Sequence, residues 1–314
     1  MASTRVNLAW ARRKAQQTAH HIAPYRASMT TGAVLAAPLT RTQRRVATRR
    51  RYVLARPTYF DVVYAINPWM HPGVPVDHHR ALAQWQALHD AYVALGHEVH
   101  VVEAVPGQPD MVFAANGGVA VAGQAISSRY RFSQRTGEER PFHNALAGLG
   151  LAVHRPEYVL EGEGDVLVAG RHLLVGSGFR SDPRAAADIG RRLAAPAGRE
   201  VVALELVDDR YYHLDVALAV LDDHTAAYLP GAFSADSRGR LASVFEELIE
   251  CSAADAAVLG LNVVSDGVHV VLEQAATELA ESLRRSGFRP IGLDMGEFRK
   301  SGGAVKCCTL ELHV

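Results

Sequence analysis

The feature that most constrains this chain is an alternation. From about residue 51 onward, short runs rich in β-branched and aromatic residues trade places with amphipathic helical runs. Residues 59–66 (YFDVVYAI) read as a buried strand. Asp77 caps a helix with apolar positions Leu82, Trp85, Leu88, Tyr92 and Leu95, and Gly96 ends it as a left-handed cap. Strands are expected at 97–102, 111–114 and 119–122. A helix near 139–149 precedes a strand at 151–154. Ser181 and Asp182, followed by Pro183, open a helix to about 194, ahead of a strand at 201–206. Asp236 opens another helix, with Leu241, Val244, Phe245 and Leu248 on one face. Residues 274–285 set Ala276, Leu279, Ala280 and Leu283 at helical spacing before Gly287. Residues 304–312 read as the closing strand. Five helices, each flanked by strands, mean an α/β fold. Periodicity alone leaves two architectures open: a doubly wound sheet, or a ring of five ββαβ modules with a site at its axis.

Charge is distributed unevenly. The 33 basic and 33 acidic residues cancel, yet no acidic residue precedes Asp61 and residues 1–60 hold twelve basic ones. Residues 61–314 therefore carry 21 basic against 33 acidic residues, a net −12. An acidic body is not a general binder of nucleic acid or of a membrane surface. The basic front, 1–50, reads as a disordered extension or as an over-early start with Met29 as the alternative. Its Arg-rich, acid-free composition is also that of an organellar presequence. As a nucleic-acid-binding arm it lacks interleaved aromatic residues.

No uninterrupted apolar run approaches the roughly 18 residues of a spanning helix. Three cysteines, Cys251, Cys307 and Cys308, exclude a disulfide framework and favour a reducing, cytoplasmic setting. They lack metal-ligand spacing, and the adjacent pairs His20-His21 and His78-His79 do not face one another on a helix. Neither Gly148-Leu149-Gly150 nor 162–164 completes a dinucleotide fingerprint, and no P-loop is present. Neither a metal nor a cofactor is expected.

Four clusters could carry chemistry. Residues 109–116 (PDMVFAAN) run from Asp110 to Asn116 and into Gly117-Gly118. Residues 161–165 (EGEGD) crowd Glu161, Glu163 and Asp165 together. Residues 212–215 (YHLD) set His213 two positions before Asp215. Residues 302–309 (GGAVKCCT) place Cys307 after a Gly-Gly turn. Singly, each has a plain structural explanation: turn residues, a solvated hairpin, a helix-start histidine, a small apolar thiol. Together they suit a cysteine nucleophile with a histidine acid/base. Carboxylates beside such a pair would oppose thiolate formation, unless the substrate is itself a cation. A guanidinium is planar, always charged and offers five donors to paired carboxylates.

These clusters, in this order, resemble the guanidino-group-modifying enzymes, the pentein superfamily. The nearest branches are the dimethylarginine dimethylaminohydrolases and the arginine dihydrolases, over roughly residues 52–314. The resemblance implies a five-bladed α/β propeller of ββαβ modules around a central active site, with 51–314 as the catalytic domain and 1–50 outside it. It implies Cys307 as nucleophile, with Cys308 on the other face of its strand, and His213 as general acid/base. The acidic loop, one residue longer than the family's, would grip the guanidinium; Glu161 and Glu163 compete for that role, with Glu161 favoured and Asp165 nearby. Asp110 would hold the α-amino group, and Arg135 and Arg180 the α-carboxylate.

One position departs from the hydrolase pattern. Asn116 stands where dimethylarginine hydrolases and arginine deiminases carry a carboxylate. Hydrogen bonds to charged groups are worth about 1.5–3 kcal/mol against about 0.5–1.5 for neutral ones, so an amide holds a guanidinium less tightly. It can also hold a neutral ureido group. The arginine dihydrolases carry asparagine here and on an early strand, where Asn67 is similar. The implied reaction is cysteine-dependent hydrolysis of the guanidino group of arginine or a methylated arginine. Ornithine-forming arginine dihydrolase activity, amidino transfer and a non-catalytic binding protein are the alternatives. The expected partner is a small guanidino amino acid, with no nucleic acid or membrane; a homo-oligomer is compatible with all of this.

Overall fold

The computed structural model describes residues 45–313. Residues 1–44, most of the basic segment, lie outside the described residues, as does the alternative start Met29. Arg45, Thr48 and Arg50, on the extension's side of the expected boundary, contact the body. Thr48 donates its N–H to the Asp266 carbonyl at 2.9 Å. Arg45 pairs with Asp222 and lies over the Phe288 ring.

The fold is α/β with mixed sheets, built from one pattern used five times. Each unit has a strand, an antiparallel neighbour, a helix and a third strand parallel to the second. The first unit is Gly118–Val121, Gln124–Ser127 and Ala152–His154, with the helix Glu139–Gly148 between the last two. The second is Val166–Ala169, His172–Ser177 and Glu200–Glu205, with the helix Ala185–Ile189 continuing into a π-helical turn, Gly190–Ala194. The third is Leu218–Val220, Thr225–Tyr228 and Glu247–Glu250 around the helix Ala235–Val244. The fourth is Val264–Ser265, His269–Glu273 and Arg289–Leu293 around the helix Thr277–Arg285. The fifth joins the two ends of the described chain. Leu310–His313 pairs antiparallel with Arg51–Ala55, which pairs parallel with Glu98–Val102 across the helix His78–Ala94.

Two of the helices in these units start at a capping side chain. Asp77 accepts the Arg80 N–H at the start of His78–Ala94, and Gly96 follows with φ +82°. That helix buries Ala81, Gln84, Trp85, Leu88 and Tyr92, while Leu82 stays exposed on its other side. Ser234 caps Ala235–Val244.

Two expected strands are not strands and a third begins late, and each sits at the site. Residues 59–66 form turns and irregular backbone. Pro57 has no N–H to give a ladder, and Arg51–Ala55 is already paired on both sides, by Glu98–Val102 and Leu310–His313. Residues 111–114 fall within two consecutive 3₁₀ turns, Pro109–Val112 and Ala114–Gly117. Residues 304–309 are a turn closed by Cys308 N–H to Ala304 O (3.2 Å) and Thr309 N–H to Lys306 O (2.8 Å); the strand begins only at Leu310. Cys307 and Cys308 are therefore not on opposite faces of a strand.

Candidate active site

The acidic segment folds as a 3₁₀ turn, Gly162–Gly164, and its glycines are steric requirements. Gly162 has φ +56°, and a Cβ there would come within 2.5 Å of the Ala115 carbonyl. A Cβ on Gly164 would lie 2.3 Å from the Asn116 amide nitrogen and 3.2 Å from the His213 ring. The turn can thus press against two site residues at once.

Its carboxylates then part company. Glu161 is fully buried. Its Oε2 lies 2.8 Å from His213 Nε2 and 2.8 Å from an Arg180 nitrogen, and its Oε1 accepts the Arg131 N–H. Burial alone would raise its pKa; the Arg180 guanidinium and the His213 ring overcome that and hold it well below the usual carboxylate range. An ionised carboxylate only accepts, so His213 Nε2 carries the proton. The other ring nitrogen, Nδ1, is buried without a hydrogen-bond partner.

Asp165 ties the scaffold together. Its oxygens accept the N–H groups of Leu214 and Ser181, each at 3.1 Å, and one lies 4.0 Å from His213 Nε2. Burial pushes its pKa up, against the His213 charge and the Ser181 hydrogen bonds. Glu163 faces away from this cluster. Its carboxylate takes Lys306 Nζ at 2.6 Å, the Glu311 N–H at 2.8 Å and His313 Nε2 at 3.1 Å.

Cys307 is buried in the turn before the last strand. Its Sγ lies 3.3 Å from Asp215 Oδ2 and 3.2 Å from Asn262 Nδ2, and its carbonyl accepts the Ala115 N–H. Burial, then the Asp215 charge, pushes the thiol pKa well up. Burial raises Asp215 to about 6, against the His213 charge and the thiol hydrogen bond. Asp215 Oδ1 is buried without a partner. Asp215 is the charged group that both Cys307 and His213 act on.

The remaining predicted residues are placed as follows. Asn116 Oδ1 accepts from Arg135 at 2.8 Å and its Nδ2 donates to the Glu161 carbonyl at 3.3 Å. Arg135 is buried in a two-point pair with Glu138 and also donates to the Asp110 carbonyl. Asp110 accepts from the Tyr64 and Ser301 hydroxyls, each at 2.8 Å. Asn67 donates to the Ser301 carbonyl, beside Gly302. Arg180 lies 4.5 Å and 4.9 Å from the Tyr212 and Phe132 ring centroids and donates to the Ile66 carbonyl. Among the described residues, no three His, Cys, Asp or Glu side chains gather as metal ligands, and no helix is long and apolar enough to cross a membrane.

Sequence reasoning gave no role to two residues on the sulfur. Asp215 was within reach as the carboxylate two positions after His213. Asn262 carried no motif; its one signal is a polar residue set in an apolar run, 258–264 (VLGLNVV).

Known proteins are similar to this chain. The sequence model of the family described as N,N dimethylarginine dimethylhydrolase, eukaryotic, matches residues 74–314. An N(G),N(G)-dimethylarginine dimethylaminohydrolase of Mycobacterium tuberculosis is 49% identical over 291 residues, 93% of this chain and 95% of that protein. That coverage reaches into the first fifty residues. The N-terminal domain of ArgZ, a cyanobacterial arginine dihydrolase solved with its product, superposes with a TM-score of 0.79 at 33% identity, over 84% of this chain and 97% of that one. A Pseudomonas aeruginosa dimethylarginine dimethylaminohydrolase variant with citrulline shares the fold, with a TM-score of 0.73 at 20% identity, over 84% of this chain and 99% of that one. The class is therefore an amidine C–N hydrolase of the pentein superfamily. Within it, the chain belongs to the dimethylarginine dimethylaminohydrolase family.

Proposed function

We propose that the protein hydrolyses the guanidino group of an Nω-methylated arginine, giving citrulline and an amine through a covalent thiouronium on Cys307. The five repeated units are read as blades of a ββαβ propeller, with the reaction at one mouth of its axis. The observation that carries the reading is a pair of orphaned buried atoms, Asp215 Oδ1 on the carboxylate that touches the sulfur and His213 Nδ1 on the ring that Glu161 holds. A buried acceptor without a partner costs about 1–3 kcal/mol. A bound guanidinium N–H would relieve that cost at Asp215, and its charge would offset the one that disfavours the thiolate.

The thiol proton passes by way of Asp215, its hydrogen-bond partner, to His213 Nδ1, and the thiolate adds to the guanidinium carbon. The C–N bond to the departing amine breaks as His213 gives that nitrogen a proton, leaving an S-linked thiouronium. Neutral His213 then takes a proton from water, which adds to the same carbon. The C–S bond breaks, the proton on the added oxygen returns to sulfur as the ureido product leaves, and His213 gives its proton to solvent. Glu161 holds the imidazole and stabilises its charged form. Asp110 and Asn67, on the Ser301–Gly302 side, and Arg180 are assigned to the amino-acid end of the substrate.

A second reading, arginine dihydrolase, is favoured by one contact. Arg135 occupies Asn116 Oδ1, which leaves the amide nitrogen as the end toward Gly164 and His213. A donor there suits a ureido oxygen, and hence a second hydrolysis. Product analysis on arginine, monomethylarginine, dimethylarginine and citrulline separates the two: amine release without ornithine supports the first, ornithine from arginine the second. Turnover on none of the four sinks both.

A further inference from the structure

Asn262 is fully buried, and its side chain is spent entirely on the segments that carry the nucleophile and Asp215. Its Oδ1 accepts the Ala304 N–H at 3.0 Å and the Cys307 N–H at 2.9 Å. Its Nδ2 donates to Asp215 through the carbonyl at 3.0 Å and Oδ2 at 3.1 Å, and to Cys307 Sγ at 3.2 Å. The Asn262 carbonyl accepts the Lys306 N–H at 3.2 Å. A primary amide has two acceptor sites and two donor hydrogens, and every one is used here. Aspartate could supply the acceptors but no donor, leucine neither, and glutamine would need a further methylene in a filled site.

The turn's own hydrogen bonds, Cys308 to Ala304 and Thr309 to Lys306, hold its shape but touch neither the sulfur nor Asp215. Asn262 does both, from a different unit of the fold. We propose that Asn262 is the positioning residue of the reaction: it fixes the Cys307 thiol against Asp215, and its N–H groups favour the charged forms that attack requires. This rests on the reading of Cys307 as nucleophile.

Burial, Asp215 and Cys308 raise the thiol against the Ala304 backbone N–H, with Tyr212 also beside it; burial and Asp165 raise Asp215, while His213, the Cys307 thiol and Lys306 lower it. The Asn262 donors work against the burial of both. Their loss should move thiolate formation to higher pH.

The test uses the full chain with Asn262→Ala and Asn262→Asp, the second keeping the acceptor for Ala304 and Cys307. Three quantities are read: kcat and KM, thermal stability, and the pH dependence of Cys307 alkylation by iodoacetamide, located by mass spectrometry. Expected are a kcat lower by about 100-fold with KM within about threefold, as for misplaced reacting groups. The alkylation midpoint should rise by about one pH unit or more. An unchanged alkylation profile, or a loss that follows thermal stability or KM alone, overturns the proposal. Cys307→Ala runs in parallel. Its continued turnover would remove the nucleophile reading itself, whereas an inactive Cys307→Ala beside unaltered Asn262 variants removes only the positioning role.

Discussion

Glu161 and Glu163 lie two residues apart on one turn, both buried, both held ionised by cations, yet they meet different neighbours. Glu161 looks to His213 and Arg180, where polar atoms remain without partners. Glu163 looks to Lys306 and His313 and borders a cavity of about 280 Å³, lined also by Arg50 and Glu311. Each carboxylate shares its two oxygens among three donors; what differs is the surroundings, because on the Glu161 side His213 Nδ1 and Asp215 Oδ1 remain buried without partners. On the function proposed above, the same residue type is a working group on one face and a strut on the other. The difference is set by what the neighbouring segments deliver, not by the carboxylate.

The contrast breaks most sharply at Glu161. Glu161→Gln should lower kcat on the order of 10²–10⁴-fold, because the imidazole loses the charge that stabilises its protonated form. Steady-state kinetics with circular dichroism checks this; a loss under tenfold in a folded variant would move the working role elsewhere. Glu163→Ala should act on stability instead. It strands a buried Lys306 ammonium, costing about 3–5 kcal/mol in denaturant unfolding. Combining it with Lys306→Met should recover much of that loss.

The two sides should also answer pH in opposite senses. Asp215 is raised to about 6. Its favourable contribution is complete below the ordinary aspartate range and is lost as pH rises through 6. Asp215→Asn should therefore gain up to about 3 kcal/mol over the parent between pH 4 and 7, while losing turnover. Glu163 is depressed: burial opposes ionisation, but Lys306 and His313 outweigh it. Its contribution is present above the ordinary glutamate range and fades as pH falls through its folded value. The Glu163→Gln deficit should shrink in acid. Parallel pH–stability curves for the two variants would undo the comparison. The smallest effect is expected at His313→Phe, about 1 kcal/mol for one of three donors to Glu163.

The helices were readable because each carries its own local instructions. Asp77, the Trp85–Leu88–Tyr92 stripe and Gly96 mark His78–Ala94 without help from the rest of the chain. The site segments were readable as chemistry but not as shape. Residues 59–66 have strand-like composition, but Pro57 precedes them and both edges of the neighbouring strand Arg51–Ala55 are already paired. The turn at 304–309 is held by an asparagine more than forty residues away in sequence, so no local pattern announces it. Asn262 itself looks like an ordinary polar residue until the groups around it are known.

Read alone, the chain determined its α/β alternation, its acidic body and the residue types of a site for a cation, because periodicity, charge and side-chain chemistry are properties of short stretches. Tertiary structure alone decided which carboxylate faces the histidine, that Asp215 rather than His213 touches the thiol, and that an amide from another unit grips the cysteine turn. Those are matters of distance between segments remote in sequence. They are settled by which buried polar groups can satisfy one another once water is gone.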